Sequence, residues 1–393
     1  MKYCKNEGFM NKDYDFNESF NKFRKKISLS DEDKKNFLES RELIRKTIRK
    51  TFNEKTENYF SLDDLKILTH VFFEFERSDI KPKFMTQGSF AYNTINTPEN
   101  PPVQQMDLDD GIYFPLKYIE KASNGNFSQA AQTIRNIVYR CVNDLCRDMN
   151  WNLEKKSKCL RVTLDTSSHI DLPIYSAPEK EMKKITKTSL NSIMSTGSID
   201  KFFAYEKLDD ILLATDDGWL KSDPRVIQQW VEDNKQKRGR NFIHYSKYIK
   251  NWRDCQWKKD SGFSSIMVMA GISQAMSEYS YSENDNTALD LSSIVCMIKM
   301  YLDVNGDGIL SPDNQERMDS ELSNRNEIIK QLNKLSINLN ESVSAGSSDF
   351  LTESFGSRFP SESVKPSKEA APAIITNLND FESDIPVMPA KKI

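Results

Sequence analysis

The chain lacks most of what other function classes require. Its six cysteines (Cys4, Cys141, Cys146, Cys159, Cys255 and Cys296) are scattered without a C-x-x-C pair, and there are only three histidines, His70, His169 and His244. That spacing excludes a zinc site built from clustered thiolates and imidazoles. It reads instead as reduced, mostly buried thiols of a cytoplasmic protein. No apolar run approaches the about 20 residues that span a bilayer, so no membrane partner is expected. The first residues, MKYCKNEGFMNKDYDF, contain no hydrophobic stretch of the kind a secretory signal needs. A basic excess is missing too: net charge is −3 with 29% charged residues. Proteins that coat nucleic acid carry surplus Lys and Arg, so a small charged substrate in a local pocket fits better. No internal repeat is visible. At 393 residues the chain can build a large core, expected in two tightly joined lobes.

What is present centres on residues 84–114, FMTQGSFAYNTINTPENPPVQQMDLDDGIYF. The pattern reads as strand, Gly-Ser turn, loop, and a second strand carrying acids. Side chains alternate faces along a strand. Asp107 and Asp109 therefore share one face with Gly111 and Tyr113, while Met106, Leu108, Ile112 and Phe114 share the core face. Two carboxylates at i and i+2 suit a pair of divalent cations. Hard oxygen ligands favour Mg²⁺, with Mn²⁺ an alternative, and the rest of the shell comes from water and substrate phosphates. Gly88 and Ser89 offer close backbone approach and a hydroxyl, as phosphate cradling needs. Asp110 points to the opposite face and reads as a structural hydrogen-bonding acid.

Residues 159–165 (CLRVTLD) and 168–175 (SHIDLPIY) alternate around a polar turn and predict a hairpin. In the second arm His169, Asp171, Pro173 and Tyr175 face away from Ile170, Leu172 and Ile174. An acid in so apolar a strand is costly unless paired, and a metal shared with Asp107 and Asp109 would pair it. His169 reads either as a base or as a satisfied structural residue.

Gly-Ser followed by D-x-D and a distant Asp is the pattern of the polymerase-β-like nucleotidyltransferases. Six blocks in order, MTQGSFAYNT, QQMDLDDGIYFPL, HIDLPIYSAP, GWLKSDPRVIQQW, YIKNWRDCQW and ESFGSRFP, resemble the bacterial cGAS/DncV-like nucleotidyltransferases, or CD-NTases, of the DncV type. The resemblance implies an α+β fold: a polymerase-β-like core with a mixed sheet and flanking helices, joined to an all-helical C-terminal lobe. It implies catalytic, metal-binding roles for Asp107, Asp109 and Asp171, and nucleotide contacts from Gln87, Gly88, Ser89, Tyr92, Arg161, Ser222, Lys250 and Ser264. Gly88 and Ser89 are expected on the donor's β- and γ-phosphates. Tyr92 either stacks on a base or packs, and Arg161 is expected to reach a phosphate. Without the resemblance, Lys250 reads as a solvated lysine and Ser222 as a helix cap.

The implied activity joins ATP and GTP into 3′,3′-cyclic GMP-AMP with release of pyrophosphate, using two Mg²⁺, as a second messenger in anti-phage (CBASS) defence. The implied partners are an effector that binds the messenger and a ligase-like protein acting on the C-terminus. The zinc-bearing DNA-sensing insertion of the family's animal relatives is absent, so activation by double-stranded DNA is not expected. The alternatives are a catalytically silent nucleotide sensor and a transferase acting on RNA ends. The acids argue against the first, and the acidic balance argues against the second.

The division expected along the chain is a core with N-terminal helices at 1–205, a helical lobe at 206–360 and a disordered tail at 361–393. Phe16, Phe20, Phe23 and Ile27 predict a short helix. Ser30 and Asp33 predict a capping box opening a second, with Phe37, Ile44, Ile48 and Phe52 buried and Arg45, Lys46, Arg49 and Lys50 on a solvated face. Further helices are expected at 63–76, at 127–149, and after Pro224, with strand alternation ending at Asp209. The remainder predicts helices ending near Trp257 and over 263–276, 288–302 and 318–339, a linker at 342–349, and a docking segment at 350–359. Residues 303–308, DVNGDG, resemble the start of an EF-hand loop, but Asn314 stands where the motif requires Glu. A turn at the rim of the nucleotide pocket is the better expectation, with Asp313 a candidate for base contact.

Overall fold

The computed structural model describes residues 14–54, 59–61, 63–64, 81–115, 127–177, 211–278, 286–303, 305–312 and 316–361. The expected helix at 63–76, Asp313, and almost all of the expected tail lie outside the described residues, apart from Asp63 and Asp64.

Helices α1 (Phe16–Ile27) and α2 (Asp31–Asn53) form where apolar spacing predicts them. The Ser30 hydroxyl accepts from the Asp33 amide at 3.0 Å, and the Asp33 carboxylate accepts from the Ser30 amide at 3.1 Å. The box satisfies amides that would otherwise be orphaned at the start of α2. Strand β1 (Lys83–Gln87) runs into a single-turn helix α3 (Gly88–Ala91). Residues 92–105 carry no regular element, as their prolines require. Strand β2 (Met106–Pro115) follows. Helix α4 (Phe127–Met149) buries Ile134, Ile137, Val138 and Cys141 against the sheet's back face. Then come β3 (Asn152–Lys155), β4 (Leu160–Thr163), β5 (Ser168–Leu172) and β6 (Ile174–Ala177).

Strand β2 is central. It pairs antiparallel with β1, parallel with β5 along Met106–Asp109, and parallel with β6 along Ile112–Pro115. Pro173 separates β5 from β6; lacking an N–H, it still accepts from the Ile112 amide at 2.9 Å. The predicted hairpin is the antiparallel β4–β5 pair.

Strand alternation does not end at Asp209. Leu212–Thr215 (β7) and Gly218–Lys221 (β8) pair with each other, and β7 extends the sheet from β6. Four-residue strands with a tight turn carry too short an alternation to stand out. Helices follow: α5 (Pro224–Arg238), α6 (Asn241–Gln256), α7 (Ser265–Glu278), α8 (Thr287–Leu302), α9 (Arg325–Ala345) and α10 (Asp349–Phe355). Helix α9 starts later than Met318 and continues into the expected linker, ending at a left-handed Gly346 cap, φ 60°. The segment after it docks as expected, with Phe355 and Phe359 buried.

One core lies between the sheet, α2 and α4. A second fills the helical lobe. Helix α1, expected with the first lobe, packs Phe20 and Phe23 against Tyr248, Phe355 and Phe359 of the second. The solvated face expected for α2 holds for Lys46, Arg49 and Lys50, which are exposed, and is corrected at Arg45. Arg45 is buried and makes an ion pair with Asp110, and Arg49 lies over the Phe84 ring, 4.7 Å from its centroid. Among the described residues no helix is long and apolar enough to cross a membrane.

Candidate active site

The acids come together because β2 and β5 run parallel in register. Asp107 lies beside His169, and Asp109 beside Asp171. The β1–α3 turn closes over them. Gly88 has φ +69°, and a Cβ there would collide with the Asp109 carboxylate. Glycine is what allows acid and main chain to approach. Ser89 Oγ donates to the Asp107 carbonyl at 3.4 Å. Gln87 is held from beneath: its Nε2 donates to Tyr175 Oη at 2.9 Å, and Tyr113 Oη donates to its Oε1 at 3.3 Å.

Burial, then the charges of Asp107 and Asp171, push the Asp109 carboxyl well above the ordinary carboxylate range. Crowded acids of this kind are stabilised by a cation among them. Atoms of Asp107, His169 and Asp171 lie within 4.8 Å of one another, in metal-ligand proximity. Asp107 Oδ1 and His169 Nε2 approach to 3.1 Å, and neither makes a hydrogen bond among the described residues. Orphaned buried polar atoms aimed at one another fit a bound cation.

Asp171 has a partner that a metal-only reading misses. Arg161 grips both its oxygens, Nε to Oδ1 at 2.8 Å and Nη2 to Oδ2 at 2.7 Å. Arg161 faces Asp171 across the hairpin, so hairpin register is the signal that finds the pair. This fork is the side-chain contact that Arg161 makes, and its side chain remains 30% exposed. On the back face, Asp110 is the structural acid expected of it: Arg45 donates to it at 2.7 and 2.5 Å, and Thr86 Oγ1 donates at 3.1 Å.

The acids open into a cleft of about 590 Å³ between sheet and helices. Gln87, Gly88, Ser89, Tyr92, Asp107 and Asp109 line one wall; Lys250, Arg253, Asp254 and Ser265 line the other. The Tyr92 hydroxyl is pushed above its usual range by burial and by Asp109. Lys250 is not a solvated lysine: it is buried and its Nζ donates to the Thr94 carbonyl at 2.8 Å. One turn earlier Lys247 donates to the Ile95 carbonyl, also at 2.8 Å. Burial, then Arg253, pushes Lys250 down to about 8; burial, then Lys250, pushes Lys247 down to about 7. Ser311 and Met318 from the EF-hand-like loop and its continuation line the cleft too, so that loop reaches its edge.

Ser222 and Ser264 are not among the cleft-lining residues. The Ser222 amide donates to the Ile211 carbonyl at 3.1 Å, and Asp223 rather than Ser222 caps α5. Ser264 is exposed, and its Oγ accepts from the Met267 amide at 3.3 Å as a cap for α7. Sequence reasoning did not single out Lys247, Arg253 and Asp254. Their neighbourhood in YIKNWRDCQW is the signal that points there.

A family model described as the nucleotidyltransferase domain of DncV-like cyclic GMP-AMP synthase matches residues 82–175, and one for the synthase's C-terminal domain matches residues 239–368. The chain belongs to the DncV-like nucleotidyltransferase family. The family's two domains meet at the cleft just described. A cyclic GMP-AMP synthase of Escherichia coli is 28% identical over 266 residues, which is 62% of this chain and 60% of that protein. The Vibrio cholerae enzyme is 27% identical over 306 residues, 66% of this chain and 69% of that one. The sequence match to the first relative thus leaves two fifths of it uncovered. The fold extends further. The crystal structure of Vibrio cholerae DncV with the linear intermediate pppA(3′,5′)pG superposes with a TM-score of 0.70 at 24% identity, covering 90% of this chain and 97% of that one. A DncV variant bound to ATP, GTP and 5MTHFGLU2 superposes with a TM-score of 0.71 at 22% identity.

Proposed function

We propose that this chain is a cyclic dinucleotide synthase that joins ATP and GTP into 3′,3′-cyclic GMP-AMP. The observation that carries the reading is the meeting of Asp107 and Asp109 with the Gly88–Ser89 turn on one wall of a cleft whose other wall presents Lys250 and Arg253. A ribose 3′-hydroxyl of one nucleotide attacks the α-phosphorus of the other, and pyrophosphate leaves; a second such step closes the ring. Asp107, Asp109 and Asp171 would hold two Mg²⁺ or Mn²⁺ ions, which lower the pKa of the attacking hydroxyl and neutralise charge at the transferred phosphoryl group.

The chain's own residues supply position. The main chain at Gly88 and the Ser89 hydroxyl receive the donor triphosphate. Gln87, clamped by Tyr113 and Tyr175, holds that turn in place. Lys250 and Arg253 offer positive charge to a nucleotide across the cleft, and Tyr92 offers a ring face. On this reading the protein works in the cytoplasm, its product acts on an effector as a second messenger in anti-phage defence, and its C-terminus serves a ligase-like partner.

The test is incubation with α-labelled ATP and GTP and a divalent cation. The expected product is a phosphatase-resistant cyclic dinucleotide containing both bases, with two pyrophosphates released per product. Absence of any dinucleotide, or label transfer to RNA ends instead, overturns the reading.

A further inference from the structure

We infer that His169 is itself a metal ligand, so that the cation beside Asp107 and Asp171 occupies a mixed nitrogen–oxygen site. The inference rests on the reading of this cleft as metal-dependent, and goes beyond its three carboxylates.

The tautomer is the first step. Gln105 Nε2 faces two carbonyls, those of Asp165 at 3.5 Å and Thr166 at 3.3 Å. Carbonyls only accept, so the amide nitrogen belongs there and Gln105 Oε1 faces the ring. That oxygen lies 3.1 Å from His169 Nδ1. Nδ1 therefore donates to Gln105, which leaves Nε2 as the ring nitrogen turned toward the acids.

The second step is where Nε2 points. Nε2 is 3.1 Å from Asp107 Oδ1 and 3.9 Å from Asp171 Oδ1. The imidazole side chain is only 7% exposed. Neither Nε2 nor Asp107 Oδ1 has a hydrogen-bond partner among the described residues. A cation between the two atoms would turn this close approach into coordination.

The third step is what else is free. Arg161 engages both oxygens of Asp171, whereas no hydrogen bond engages His169 Nε2 among the described residues. The hydrogen bond from Nδ1 to Gln105 is the outer contact that metal-bound histidines make to fix their ring. Imidazole nitrogen favours first-row transition ions, whereas Mg²⁺ keeps to oxygen and water. The ligand class is thus a divalent transition ion, held by Asp107, His169 and one shared oxygen of Asp171.

The test uses Mn²⁺ as a paramagnetic probe on the full chain with a non-hydrolysable triphosphate. Electron spin-echo modulation should show a directly bound ¹⁴N in the wild type and none in His169→Ala. His169→Asn, which retains a donor for Gln105, should lose it equally while keeping the wild-type melting temperature. Mn²⁺ affinity should fall about tenfold or more in both variants. Mg²⁺ affinity, read by competition, should change less than about twofold, since Mg²⁺ prefers oxygen. Mn²⁺ bound without nitrogen coupling, or coupling that survives in both variants, overturns the role of His169 and leaves the carboxylate site standing. No divalent cation bound by the wild type, with or without nucleotide, overturns the metal reading itself.

Discussion

Asp109 and Asp110 are adjacent on one strand and live under opposite conditions. On the back face Asp110 is fully buried and fully paired, with Arg45 and Thr86 donating to it. On the front face Asp109 is crowded by the charges of Asp107 and Asp171, and burial pushes its carboxyl toward protonation. A β-strand presents successive residues to opposite faces, so a single step along the chain passes from an acid paired by the fold to one crowded by other acids. The difference teaches how to tell them apart: Asp110 is satisfied by a fork of donors, whereas Asp109 is crowded by other acids and met by no such fork among the described residues.

The comparison can be broken most severely on the front face. Asp107→Asn or Asp109→Asn should lower nucleotide joining about a thousandfold or more, because a metal ligand's charge is lost at nearly constant shape. The same variants should melt at or above the wild-type temperature, since each removes charge from a repelling cluster. Wild-type turnover in steady-state assays of either variant would break the assignment. On the back face the pattern should invert. Arg45→Ala strands a buried Asp110 and should cost about 3–5 kcal/mol of stability, read from urea midpoints. A loss below about 1 kcal/mol would mean that Asp110 is not held by this pair.

The helical wall sharpens the same contrast with cations. Lys250→Ala removes a charge that faces the cleft and should raise the nucleotide requirement about ten- to a hundredfold, roughly 1.5–3 kcal/mol. Metal binding measured by titration should be unchanged. Loss of metal binding with unaltered nucleotide affinity would reverse the roles of the two walls. A pH effect follows from the same lysines. With Lys247 at about 7 and Lys250 at about 8, both below the ordinary 10.5, the native state binds fewer protons than the unfolded chain between those values. Folding stability should therefore rise as pH goes from about 7 to 10.5, because the unfavourable burial of charge is relieved. Lys247→Met should flatten that rise in urea midpoints, and an equally steep rise in the variant would break the argument. The smallest effect is expected at the far end of the cleft's loop. Arg358 donates to the Thr97 carbonyl and hydroxyl and pairs with Glu99, so Arg358→Ala should cost about 1 kcal/mol of melting stability.

Much of this was legible before the fold was in view, for a reason of range. Asp107, Asp109, Gly88 and the hairpin carrying Asp171 are read from alternation over a few residues. The Arg161–Asp171 pair spans ten residues and follows from hairpin register. Arg45 was not legible: on its own helix it reads as one cation of a solvated stripe, and its partner Asp110 is 65 positions away. Lys250 is the same case, meeting Thr94 at a separation of 156. Strands β7 and β8 escaped because four residues each leave too little alternation to detect.

By itself, then, the sequence determined which strand faces the candidate acids occupy, since periodicity along a strand is a local property. The tertiary structure alone decided what those residues meet. Parallel pairing of β2 with β5 set His169 beside Asp107. Docking of α6 brought Lys247 and Lys250 onto the carbonyls of residues 94 and 95. Docking of the sheet on α2 buried Arg45 against Asp110. Each of these depends on contacts between distant segments, and local periodicity carries no information about which distant segment a buried charge will find.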